Sequence, residues 1–168
     1  ESSKSDGPTS LADYVSRMPT EQKAIYYLYG PSLRTVQSSP HIESLKARGF
    51  EVLYMVDTVD DWAVRSLGEF DGKPLRSAMD EKLELDENKN EEPKDEQKSA
   101  LSDALLARFR EVLQEQVGEV RISDRLTDSP SCLVIPDGGL APYIERLLRA
   151  QQGADMPTTK RILEVNTK

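Results

Sequence analysis

Few residues in this 168-residue chain can do covalent chemistry, and they stand far apart in sequence. It contains one histidine, His41, and one cysteine, Cys132. A general base or a thiolate nucleophile needs a partner that orients it or lowers its pKa, and neither residue has one close by in sequence. No CxxC, HExxH, GxSxG or Walker pattern occurs, so metal chelation and nucleophilic hydrolysis lack their usual frameworks. His41 falls in the first turn of an expected helix and reads as an exposed or capping residue. Cys132 falls in an expected strand and reads as a small buried hydrophobe. Gly30-Pro31-Ser32 joins a strand to a helix, where phosphate can bind, but the glycine series and lysine of a true phosphate loop are missing. The paired acids Asp60-Asp61 and Glu91-Glu92 suit a helix N-terminus and a solvated linker. No catalytic residue, metal ligand or cofactor-binding residue is expected.

Binding chemistry is better represented. Trp62 is the only tryptophan. At ~100° per residue, Val59, Ala63, Leu67 and Phe70 point one way, and Trp62 stands ~95° from the middle of that stripe. Its place on the flank, beside Asp61, leaves two readings open: the edge of a core, or an exposed contact. In GGLAPYIERLLRA, Leu140, Ile144, Leu147 and Leu148 make one helix face, with Glu145, Arg146 and Arg149 opposite. Such a face packs on its own core or is offered to a partner. Pro142 requires the helix to begin just before it, where its missing N–H falls in the first turn.

The elements that would position these residues alternate in period. Leu11, Tyr14, Val15 and Met18 have helical spacing after a Ser10 cap. Ala24–Tyr29 and Glu51–Val56 are compact apolar runs of strand type. Between them, Ser39-Pro40 opens a helix that Gly49 closes. Asp57–Asp61 puts acids at the start of another helix, running to Leu67. The alternation implies a small three-layer α/β unit with parallel strands. Further on, Leu101, Leu105, Phe109, Val112, Leu113 and Val117 form a stripe on a long helix closed by Gly118. Glu119–Ser123, Ser131–Ile135 and Arg161–Val165 read as strands, with the Leu140–Ala150 helix among them, which makes an α+β domain.

Charge divides the chain. Nine acids and four bases lie between Asp80 and Lys98, so −5 of the net −8 sits there. That stretch cannot bury enough apolar surface to offset the entropy of ordering it, and reads as a flexible acidic linker with room for a short strand at Lys82–Leu85. The expected organisation is therefore an α/β subdomain over residues 1–80, a linker over 81–98 and an α+β domain over 99–168. Net acidity argues against a general nucleic-acid binder. No run approaches the ~20 apolar residues of a membrane span, and the first residues lack a signal-peptide pattern. A lone cysteine excludes an internal disulfide and suits the cytoplasm.

Five strings, LADYVSRMPTEQKAIYYLYG, SSPHIESLKARGFEVLYMVD, VDDWAVRSLGEFDGKPL, VRISDRLTDSPSCLV and RILEVN, resemble the bacterial chaperones of the ninety-kilodalton heat-shock family. They follow family order and cover nearly all of the chain outside the linker. The resemblance implies that residues before about 80 are the last, smaller α/β part of the middle domain, and that residues from 99 are a C-terminal domain without its terminal dimerisation helices. It further implies that the ATP and Mg site belongs to an N-terminal domain absent here, so this part is not itself an enzyme. The full-length protein would be a homodimer and this part a monomer. Its partners would be non-native client proteins and possible co-chaperones. By the resemblance Trp62, with Asp61, is a client contact, and Leu140, Ile144, Leu147 and Leu148, the apolar face of a mobile helix that projects into the dimer cleft, bind client as well. Family members carry methionine at the first two of those helix positions, where this chain has Leu140 and Ile144. The competing reading is a structural module joining an ATPase part to a dimerisation part.

Overall fold

A computed structural model describes residues 1–83, 96–140, 142–152 and 159–167. The first half begins with helix α1 (Leu11–Ser16), whose Ser10 cap accepts from the Asp13 amide while Asp13 reaches back, a reciprocal capping box. Strand β1 (Ile25–Tyr29), helix α2 (Leu33–Gln37), a 3-10 turn at Pro40–Ile42, helix α3 (Glu43–Ala47) and strand β2 (Val52–Met55) follow. Helix α4 (Thr58–Leu67) then leads into a short hairpin of β3 (Glu69–Phe70) and β4 (Lys73–Ser77). The four strands make one sheet in the order β2-β1-β4-β3, with β1 parallel to both β2 and β4 and β3 antiparallel to β4. The expectation of parallel strands is met. The hairpin and α2 are additions: Asp71-Gly72, both at positive φ, is a turn signal that the stripe ending at Phe70 concealed.

Period-two alternation on β1 and β2 feeds two cores. Tyr26, Leu28, Val52 and Tyr54 face Val36, Ile42, Leu45 and Phe50 on one side. Ile25, Tyr27 and Leu53 face Tyr14 and Val64 on the other. Helices thus cover both faces of the sheet, which is why its central strands are almost continuously apolar. The Tyr14 hydroxyl donates to the Glu51 carbonyl at 2.5 Å and accepts from the Gln22 amide and the Tyr26 N–H, so this buried phenol is fully satisfied.

The second half holds helix α5 (Glu96–Leu113), strands β5 (Val117–Ile122) and β6 (Ser131–Val134), helix α6 (Pro142–Gln152) and strand β7 (Arg161–Val165). Its sheet runs β5-β7-β6, with β7 central, parallel to β5 and antiparallel to β6. Here the expected stripe needs correction. α5 stops at Leu113, and Val117 and Gly118 open β5, because the Gln116 N–H bonds the Leu113 carbonyl and turns the chain. Among the described side chains of α5 the buried one is Leu106, backed by Phe109 and Leu113, whereas Leu105 and Val112 are exposed and Leu101 lies outside the described side chains. Cys132 is a free buried thiol, pushed up to about 11 chiefly by burial.

Most of the 81–98 segment, including Glu84 and Leu85 of its possible strand, lies outside the described residues; just before it Asp80 forms a bridge with Ile135. Glu81 is ion-paired to Arg121 at 2.8 Å, Leu83 packs against the first core, and α5 already begins at Glu96.

Besides the Glu81–Arg121 pair and a backbone bond from the Ile135 N–H to the Met79 carbonyl, two side-chain clusters join the halves among the described residues. Arg125 is almost wholly buried and donates to Glu164 at 2.9 Å and to the carbonyls of Ala78, Asp80 and Glu81. Glu164 also takes Arg121 and the Ser123 hydroxyl, so the buried charges are paired and hydrogen-bonded. In the second contact, the Glu43 carboxylate accepts the N–H groups of Thr127, Asp128 and Ser129 and the Ser129 hydroxyl. Desolvation would raise this carboxyl, but those donors outweigh it and hold it at about 2. His41 corrects another expectation: it is 8 % exposed rather than exposed or capping, with its Nδ1 unpartnered. Burial first, then the Arg125 charge, pushes the imidazole down to about 4.

Candidate functional site

α4 is a rigid platform. The Asp60 carboxylate accepts the N–H groups of Asp57 and Val56 at 3.0 and 3.1 Å, which satisfies the start of the helix. Gly68, at φ 66°, ends it. On this helix Val64 is buried against the sheet, while Val59 is 67 %, Trp62 58 % and Leu67 44 % exposed. The expected stripe of Val59, Ala63 and Leu67 therefore faces solvent, and the helix seats itself through Val64 a quarter-turn away. Phe70 sits half-buried in β3. Of the two readings left open for Trp62, exposure is what the structure displays. Asp61 occupies the first turn beside it, with its side chain outside the described residues.

Ala63 and Leu67 also form one wall of a groove of about 230 Å³, whose other walls include Leu11, Leu53, Met55 and Leu75. Its polar lining is Glu1, Thr9 and Asp60.

α6 behaves differently. Pro142 is its first residue, as its chemistry demands. Leu140, Ile144 and Leu148 are half-buried, and the side chain of Leu147 lies outside the described residues. Glu145, expected on the solvent side, instead turns inward and pairs with Arg161 of β7 at 2.7 Å, both mostly buried. The inward sector of α6 is thus rotated towards Glu145, and an ion pair ties it to the central strand. Arg146 and Pro142 border a larger cavity, about 370 Å³, shared with Tyr29, Gly30, His41 and Ile135. α4 and α6 line different cavities.

Gly30-Pro31-Ser32 is structural. A Cβ on Gly30 would meet the Val36 side chain at 2.7 Å, and its N–H is already given to the Met55 carbonyl. Ser32 caps α2, accepting from Thr35. Among the described residues, no group of three or more His, Cys, Asp or Glu side chains is placed to hold a metal ion, and no helix is long and apolar enough to cross a membrane. Sequence reasoning missed Arg125, Glu164 and Glu43, the residues that join the halves. A charged residue in a polar loop gives no sign of being buried by a partner ~40–80 positions away.

The family model described as Hsp90 protein matches residues 1–168. The chain belongs to the Hsp90 family. Its relatives include the Chaperone protein HtpG of Myxococcus xanthus, 56% identical over 169 residues that cover 100% of this chain and 26% of the relative. Proteins of the same name from Magnetococcus marinus and Mycolicibacterium vanbaalenii are 46% and 44% identical, covering 94% and 96% of the chain and 25% of each relative. The chain thus spans about a quarter of the length of the Hsp90-family chaperones it matches. α4 with Trp62, α6 and the Arg125–Glu164 contact all fall inside the matched region.

Proposed function

We propose that this part of an Hsp90-type chaperone contributes a surface for non-native polypeptide rather than a catalytic centre. The observation that carries the reading is Trp62, more than half exposed on a capped helix whose neighbours Val59 and Leu67 are exposed too. A soluble helix normally turns its large apolar side chains inward, and a cluster facing outward marks a contact surface. In this reading residues 1–80 are the end of the middle domain and residues from 99 the C-terminal domain. ATP and Mg, homodimerisation and any co-chaperone belong to the whole cytoplasmic protein.

The test is binding of a reduced, carboxymethylated protein that cannot fold. Trp62→Ala should weaken it about thirtyfold, the ~2 kcal/mol of an aromatic hot spot, while the melting temperature stays within a degree or two. A steep loss of stability with unchanged affinity would show that Trp62 is a packing residue. At α6 a specific observation favours the structural reading: the Glu145–Arg161 pair and half-burial of Leu140, Ile144 and Leu148 support a docked helix that braces β7.

A further inference from the structure

The apolar face of α4 continues past Trp62. At ~100° per residue, Trp62, Val59, Ala63 and Leu67 follow one another around ~140° of the helix, and the last two pass directly into the groove beside α1, β2 and β4. Its volume, about 230 Å³, is below the ~300–1,000 Å³ of a small-molecule site and suits one or two apolar side chains. Two acids, Glu1 and Asp60, line it and no Lys or Arg does among the described residues, while the Arg17 guanidinium that donates to the lining Thr9 hydroxyl is itself paired with Glu51.

We infer that this groove is a second subsite of the Trp62 surface, occupied by an apolar side chain of an extended, basic segment of non-native polypeptide. The inference rests on the reading of Trp62 as a client contact and extends it. Around a helix of ~10–12 Å diameter, ~140° of arc is ~13 Å, which four residues of extended chain span at ~3.3 Å each. The preferred segment therefore carries two large apolar residues four positions apart, with Lys or Arg between or beside them. The acidic lining draws the cations, and Trp62 and the groove each take one apolar side chain. Engaging both at once multiplies two weak contacts.

The experiment uses fluorescently labelled, unstructured peptides and anisotropy with the whole chain. The parent peptide has Phe and Leu four residues apart flanked by lysines in a Ser/Gly background. Three controls replace Leu by Ser, replace the lysines by Glu, or bring Phe and Leu together. Ala63→Phe fills the groove from an exposed position, and Leu67→Ser removes part of its wall, so a fault in one variant's folding leaves the other to report. The parent should bind at least tenfold tighter than each control. Either groove variant should weaken the parent about tenfold yet leave the Leu→Ser peptide unchanged, since the contact is already gone. If Trp62→Ala weakens the parent but neither groove variant does, the groove proposal fails and the Trp62 reading stands. If all three variants bind like the unaltered chain, both fail. Equal binding of lysine and glutamate peptides overturns the basic preference. A dimer in sedimentation that Ala63→Phe abolishes would make a second copy of the chain the occupant instead.

Discussion

His41 shows how far a single residue can depart from what its surroundings in sequence suggest. Ser39-Pro40-His41 reads as a solvated helix start, yet the ring is buried and strand β6, from far later in the chain, packs against its turn. Trp62 depends on a more local property, since Val64 is the one buried side chain among those described on α4 and the Val59–Leu67 stripe that Trp62 flanks faces solvent with it. The buried imidazole has a consequence in pH. Its folded-state pKa, about 4, lies below the ordinary 6.5, so the unfolded chain takes up the proton first. Stability is whole above pH ~6.5 and declines as the pH falls towards 4, by up to about 3 kcal/mol over the window. Glu43, held at about 2, also stabilises only while ionised, but its share is lost below ~4.5 and leaves the pH 5–6.5 range to His41. Urea midpoints should hold from pH 7.5 to about 6.5 and then fall towards pH 5, and His41→Gln should flatten that decline. An equal slope in the variant would assign the effect to other groups.

Among the elements, those with a strict period and a chemical stop were readable. α1 and α4 have side-chain caps, and β1 and β2 are apolar runs ended by Gly30 and by the Asp57 turn. α5 was misjudged at its end because Val117 satisfies helical spacing from Leu113 and strand spacing into β5 equally well. α2 is too short, at five residues, for a period to show. The end of α4 offers a clean test of local chemistry. Gly68 has φ 66°, and a Cβ there would meet nothing within 4 Å. Gly68→Ala should cost about 1 kcal/mol through backbone strain alone, read as a lower urea midpoint with an unchanged slope. A neutral result would mean that the turn relaxes to negative φ.

At the scale of the whole molecule, the halves are joined by charge more than by a shared core. The apolar clusters of the first half and of the second are separate, and Arg125 bridges them through Glu164 and three backbone carbonyls. Removing one member of a buried pair strands the other. Arg125→Ala should therefore cost ~3 kcal/mol or more and split one thermal transition into two, as each half melts by itself. Calorimetry decides the point: a single transition shifted down would mean that the halves remain coupled by other contacts. None of this arrangement was visible in sequence. Pattern finds faces and periods, whereas the meeting of Arg125 with Ala78 depends on tertiary geometry that no local window contains.

The central place of β7 bears on how the chain is made. A ribosome emits β5 and β6 first, and neither can pair with its neighbour in the finished sheet until Arg161–Val165 follows between them. At ~5–20 residues per second the nascent segment spends seconds with two unpaired edges and with Val120 and Val134 uncovered. Arg125 waits as well, because its counter-charge Glu164 sits on the same late strand. Translation order therefore sets the order of assembly: the first half can close on its own, and arrival of β7 completes the second sheet and fastens it to the first in a single event.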